Sequence, residues 1–282
     1  IFEVYGHDLW CAFKLDDEVF VSANAARIRD IDFDDEENVM HSPNIISFAV
    51  DHGWYDPNSG EPFRPADIYA PSNRVYSTRR VWRALDLATP SLKLSPHELE
   101  YPQTVVPDKK LSVNDVYKIM GDFYQGTEYD LTKGPAAGPW GNPLRYTNKG
   151  DGDWERSIGL HRTSLFHITQ INGKLPDPIK GVAWMGYGSA DLTYITPLSG
   201  SMFSLPDCYH IGAKREDFNR DSQGWISLYV QEMTTLRFNE AIQDLHAFRD
   251  PKLEMLYQIV PLVQKKAAEI YQSDPDAALS LM

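Results

Sequence analysis

Residues 19–35 read VFVSANAARIRDIDFDD, and the change of character along this stretch sets the terms for the rest of the chain. Val19-Phe20-Val21 is an apolar, β-branched and aromatic run that predicts a strand. Ser22-Ala23-Asn24 ends it, and from Asp30 onward the chain is strongly acidic. An asparagine at the end of a buried strand has two uses. Its side chain can hydrogen-bond a turn, or its amide N–H can be aimed at a reacting carbonyl oxygen, the kind of preorganised donor on which acyl-transfer catalysis depends. On this stretch alone both readings stay open. Working outward, Ile1–Tyr5 and Leu9–Leu15 are further strand-like runs. With Asp16-Asp17 as a tight turn before Glu18–Ala23, they predict an antiparallel meander of three strands.

Downstream, Ser42 as N-cap and Pro43 in the first turn open a helix from about Asn44 to His52, which Gly53 closes. A loop rich in Pro, Gly and Asn fills 56–73. Val81, Ala84, Leu85 and Ala88 then mark one face of a helix over 76–87. Ser112-Val113-Asn114-Asp115 is a capping-box variant that opens a helix to about Tyr124. Further strands are predicted at Leu165–Ile171, Gly181–Gly186 and Leu192–Thr196, and helices from about Ile226, with a break at Asp250-Pro251. This order of strands, helices, strands and helices suits a layered α+β body better than alternating βαβ units. No repeat or low-complexity linker divides the chain, so one domain over residues 1–282 is expected.

A net charge of −13 argues against nucleic acid as a partner, because phosphates select Lys and Arg surfaces. It leaves small substrates open, since a cationic pocket can sit inside an acidic protein. Two cysteines, Cys11 and Cys208, supply neither a disulfide framework nor a four-thiolate zinc site. No apolar run approaches the ~18 residues that span a bilayer, so no membrane insertion is expected. The chain starts without Met inside a strand-like run and ends on an apolar, helix-prone segment, which predicts a piece of something longer. If so, an apolar face beside the first strands is expected, covered by another copy or by an upstream segment of the same precursor.

Three clusters offer chemistry. The first is the Asn24 stretch itself. The second is Ser77-Thr78-Arg79-Arg80-Val81-Trp82-Arg83, where helical spacing puts Arg80 and Arg83 together. It reads either as a solvated basic face or as guanidinium forks that hold a carboxylate. The third is Gly134–Tyr146, GPAAGPWGNPLRY, whose three prolines and three glycines rule out a continuous helix or strand and give a rigid, closely approachable backbone. GxSxG, HExxH, GxxxxGK[ST] and a strand-linked GxGxxG are all missing. The eight histidines are scattered, and the acidic run Asp30–Glu37 lacks EF-hand spacing, reading instead as a solvated turn leading into a helix. Cys11, between Trp10 and Ala12 in a strand, is expected to pack in the core.

Taken together, four collinear blocks resemble the C69 (formerly U34) dipeptidases, the dipeptidase A group of N-terminal-nucleophile hydrolases. They are GHDLWCAFKLDDEVFVSANAARIRDIDFDD, STRRVWRALD, KLSVNDVYKIMGDFYQGTEYDLTKGPAAGPWGNPLR and LPDPIKGVAWMGYGSADLTYITP. They cover most of residues 1–205, the family-like sheet and helix body. Residues 206–282, a helical C-terminal region, are compatible but carry less signature.

The resemblance implies a partial αββα sandwich and a cysteine-type dipeptidase working through a thioester, with no metal and no cofactor. In such proteins an N-terminal Cys is nucleophile and its own α-amine the general base. That Cys lies upstream of Ile1 in the family pattern, so this chain by itself is expected to be inactive. By resemblance Asn24 matches a strand-end oxyanion-hole Asn and Arg80 an Arg close to the nucleophile, with Arg79 and Arg83 as alternates one register away. Asn142, Arg145 and Arg83 are expected to bind substrate, Arg145 as clamp for a dipeptide's C-terminal carboxylate. The partners implied are a dipeptide or short peptide, plus an upstream segment or a second copy. A non-catalytic peptide-binding subunit and an amidase for other N-acyl substrates are the alternative readings.

Overall fold

The structure is a computed structural model that describes residues 1–71, 75–145, 156–212 and 217–282, with the side chain of Arg145 outside the description. The described chain is mixed, with antiparallel sheets and helices, as the α+β expectation requires. It forms two compact units, residues 1–110 with 148–156 and residues 111–147 with 157–282.

In the first unit β1 (Phe2–Gly6) pairs with β2 (Leu9–Phe13), then β3 (Val19–Phe20) follows, and β4 (Val39–His41) returns to pair with β2. The predicted meander is therefore corrected. The place beside β2 belongs to β4, and β3 instead pairs antiparallel with β5 (Thr104–Val105), Val19 opposite Val105 and Phe20 opposite Thr104. The hydrophobic alternation that marks a strand contains nothing about its partner, and the nearer neighbour in sequence lost to one more than eighty residues away. The acidic run before β4 is a turn, with Asp35 accepting from the backbone and side chain of Asn38, and it leads into that strand rather than a helix.

One face of the β1-β2-β4 sheet covers a core of Cys11, Ile28, Ile45, Ala49 and Phe63, closed over by α1 (Ile45–Asp51). Cys11 packs there as expected, its thiol against the Tyr5 hydroxyl. The other face leaves Phe2, Val4 and Met40 exposed, the apolar surface expected beside the first strands. Asn44 rather than Ser42 is the N-cap of α1, because the Ser42 hydroxyl accepts from the Trp10 N–H of β2. A short helix, α2 (Pro65–Tyr69), precedes α3 (Val75–Ala88), which the spacing of Val81, Leu85 and Ala88 predicts to within a residue.

The second unit opens with α4 (Val113–Met120), whose Ser112 and Asp115 form the expected capping box. It stops at Met120, short of Tyr124: a Cβ on Gly121 would lie 2.9 Å from Asp191, and Tyr124 has a positive φ. β6 (Leu165–Ile171), β7 (Gly181–Tyr187) and β8 (Thr196–Ser199) make an antiparallel sheet. The predicted third strand is displaced because residues 190–192 form a 3-10 turn first. Tyr117, Phe166, Ile168, Val182, Trp184, Ile195 and Leu253 pack on this sheet as the unit's core.

After α5 (Asp207–His210), α6 (Gln223–Thr235) is followed by α7 (Phe238–Tyr271), a 34-residue helix that runs through Asp250-Pro251 without the predicted break. Proline removes one helical hydrogen bond, but the turn around it is anchored from outside. The buried Arg249 guanidinium donates to the backbone carbonyl of Asp191 and pairs with Asp250 at 2.7 Å, and Leu253 is buried in the core. Tertiary anchoring overrides the local signal. α8 (Pro275–Leu281) packs back on α7 through Ala267 and Ala278. Among the described residues no helix is long and apolar enough to cross a membrane.

Candidate functional site

The site grows out of the end of β3. After Phe20 the chain makes a loop over 21–26 and is caught at Arg27. The Arg27 guanidinium donates to the carbonyls of Val21, Tyr101 and Pro102, so it ties the loop's start to the segment entering β5. The pKa of Arg27 is lowered to about 10, first by burial and then by the nearby Arg29, while Glu3 opposes the shift. The Glu3 carboxylate accepts the backbone N–H groups of Arg27 and Ile28 at 2.7 and 2.9 Å, and Gln103 accepts those of Arg29 and Asp30. The VSANAARIRD stretch is thus held at its exit by four backbone hydrogen bonds.

Inside this frame Ser22 donates to the Ala25 carbonyl at 2.7 Å, closing a tight turn. Asn24 sits at its tip with φ 57°, a left-handed conformation that asparagine tolerates better than most residues. The turn reading of Asn24 therefore describes its backbone. Its side chain does something else.

Arg80 donates from Nη2 to Asn24 Oδ1 at 2.9 Å, and Arg156 donates from Nη1 to the same oxygen at 3.3 Å. Arg80 is itself steadied by a bond from Nε to the Tyr76 carbonyl and by stacking over the Tyr76 ring, 4.8 Å from its centroid. Arg156 also donates to the Tyr76 hydroxyl. Two guanidinium groups thus fix which end of the carboxamide is which. The oxygen is engaged, and Nδ2 of this exposed residue has no acceptor among the described residues. A charge-assisted pair of bonds on Oδ1 also draws electron density from the amide, making its N–H groups stronger donors.

The three arginines of α3 are buried, so the cluster is not a solvated basic face. They part company in what they hold. Arg80 reaches Asn24. Arg79 donates to the Pro96 carbonyl at 2.8 Å, beside Trp82, which donates to Leu94. Arg83 pairs with Asp86 at 3.4 Å.

Asn142 and Arg145 belong to the second unit. Asn142 is 2% exposed, donates to the Thr235 carbonyl at 3.2 Å, and accepts the Leu144 N–H at 2.9 Å. It also borders a cavity of about 520 Å³ with Leu144, His161 and Glu232. Arg145 ends the 3-10 turn Pro143–Arg145, and its side chain lies outside the described residues. Sequence inspection missed Tyr76 and Arg156. Tyr76 sits one helical turn before Arg80, where i,i+4 spacing was available as a signal. Arg156 lies 132 residues from Asn24, and no local pattern points to it.

Cys11 is fully buried, and burial pushes its thiol up to about 11, so it is protonated at neutral pH and out of solvent's reach. Cys208 is half-buried in the other unit. Among the described residues no group of His, Cys, Asp and Glu is placed to hold a metal ion.

Comparison with known proteins adds a family. The family described as peptidase family C69 matches residues 1–250. A probable dipeptidase of Latilactobacillus sakei is 35% identical over 188 residues, 66% of this chain and 37% of the relative. One from Salmonella dublin is 35% identical over 200 residues, 68% of this chain and 42% of the relative. Dipeptidase A of Lactobacillus helveticus is 24% identical over 263 residues, 91% of this chain and 52% of the relative. The chain spans about half the length, or less, of these curated relatives.

Proposed function

Since the chain belongs to peptidase family C69, we propose that it carries the oxyanion-binding part of a cysteine-type dipeptidase of αββα, N-terminal-nucleophile architecture. The nucleophile is a cysteine supplied by a segment upstream in the precursor. In support of that assignment, Cys11 is sealed in the core against Tyr5.

The reaction divides among the groups as follows. The cysteine's α-amine takes the thiol proton, and the thiolate attacks the peptide carbonyl carbon. The carbonyl oxygen becomes an oxyanion, which accepts an N–H from Asn24 Nδ2. Collapse breaks the C–N bond, the protonated amine returns its proton to the leaving nitrogen, and a thioester remains. Water then hydrolyses the thioester through a second oxyanion at the same donor. Arg80 and Arg156 are positioning residues, holding Asn24 by its oxygen so that no reorganisation is needed as charge develops. In the second unit Asn142 holds its own turn through Thr235 and Leu144, and the carboxylate-clamp role expected of Arg145 falls on a side chain outside the described residues. The pairing of Arg83 with Asp86 favours a place in holding α3 over direct substrate contact.

The observation that carries this reading is the convergence of two guanidinium groups on one asparagine oxygen at a strand end. Its test is Asn24→Ala in the full-length enzyme, assayed for dipeptide turnover. A fall in kcat of about 10²–10³ is expected, and unchanged turnover removes Asn24 from the mechanism.

A further inference from the structure

Helix α7 carries its buried side chains on one stripe, with Arg249, Leu253, Gln264 and Ala267 facing the unit's core. About a third of a turn away runs a second apolar stripe that nothing among the described residues covers. Phe248 is 68% exposed, Met255 51%, Ile259 42% and Leu262 65%. Phe248, Met255 and Leu262 are spaced seven apart, the interval that keeps a seam on one side of a helix.

The stripe is also symmetric about its middle residue. Phe248 and Leu262 lie seven residues to either side of Met255, and Asp244 and Lys266 lie eleven to either side. Phe248 and Leu262 exchange under reversal, Ile259 falls opposite Pro251, and the Asp244–Lys266 pair changes sign. A helix with this pattern is complementary to an antiparallel copy of itself, which is the isologous geometry of a two-fold dimer. A two-fold axis at Met255 sets Phe248 opposite Leu262 of the second copy and Asp244 opposite its Lys266, at both ends of a seam about 33 Å long. The surface beside the seam fits the same arrangement. A groove of about 710 Å³ lies between α6 and the first half of α7, lined by Ile226, Tyr229, Val230, Met233, Leu245 and Phe248. Reversal directs Leu262 of the second copy towards it. Among the described residues Lys266 is engaged by an exposed pair with Glu269 at 3.3 Å, which offers little resistance to re-pairing. Lys252 lies along the seam, its ammonium 3.4 Å from the Phe248 ring centroid and donating to the Phe248 carbonyl at 2.6 Å.

We propose that α7 is a homodimer interface in which two copies of this chain pair antiparallel about Met255. This stands independently of the catalytic reading. Sedimentation equilibrium of the chain across the micromolar range should show a monomer–dimer equilibrium. Met255→Glu sets two carboxylates face to face on the axis and should weaken dimerisation at least about 100-fold. Asp244→Lys and Lys266→Asp should each weaken it about tenfold, and the double reversal should recover to within about threefold of the original. Circular dichroism checks that each variant folds. Should Met255→Glu fail to fold, the charge-reversal series, confined to exposed residues, decides alone. A chain that stays monomeric, an oligomer indifferent to Met255→Glu, or a double reversal no tighter than either single change would each overturn the proposal.

Discussion

Asn24 and Asn142 share a side chain and differ in nearly everything else. Asn142 is buried, and both ends of its carboxamide are engaged by backbone, the nitrogen by Thr235 and the oxygen by Leu144. Asn24 is exposed at the tip of a turn, its oxygen held by side chains alone and its nitrogen without an acceptor among the described residues. A carboxamide that binds backbone at both ends contributes to folding. One anchored at a single end presents the other to a ligand. The contrast predicts that substitution at the two positions acts on different observables.

The largest effect should come from replacing both in parallel. Asn24→Ala should lower kcat by the ~10²–10³ factor given above while costing only about 1 kcal/mol of stability, the strain of placing Ala at a positive φ. Asn142→Ala should leave kcat nearly intact in the folded fraction but cost about 1–3 kcal/mol of stability, because it strands a buried carbonyl and a buried N–H. Urea titration of both variants reads this directly, and equal destabilisation by both would erase the distinction.

A sharper version concerns the anchoring itself. Arg156→Gln should lower kcat about tenfold with KM little changed, as expected for a group acting through Asn24. In an Asn24→Ala background the same change should have less than about a twofold effect. An undiminished effect there would mean that Arg156 acts by another route.

The smallest effect belongs to the core beneath the loop. Burial raises the Cys11 thiol from 9.0 to about 11, so the folded protein keeps a proton that the unfolded chain releases. Stability is therefore intact below about pH 9 and falls as pH rises towards 11, a slope that Cys11→Ala should reduce in urea titrations. In the native protein at neutral pH, alkylation followed by mass spectrometry should find Cys208 modified well before Cys11.

Much of the fold was legible where the signal is local. β6 and α3 are where the residue patterns put them, and Ser112 and Asp115 form the predicted cap, because strand alternation, helical spacing and capping are decided within a few residues. What escaped was non-local. The partner of β3 is set by the segment over 101–105, and α7 survives Pro251 because Arg249 reaches Asp191. The site divides along the same line. Asn24 and Arg80 stand out by type and spacing. Arg156, which completes their arrangement, is visible only once the chain has folded.

The Arg27 guanidinium has one further consequence. β3 and β5 share two residue pairs, a ladder too short to resist fraying. By bonding Val21 on one side and Tyr101 and Pro102 on the other, Arg27 acts as an extra rung made from a side chain. The address of Asn24 is thus written at Glu3 and Arg27 rather than in the turn that bears it. Variants at either position should loosen the turn that bears Asn24, and losing both should loosen it further.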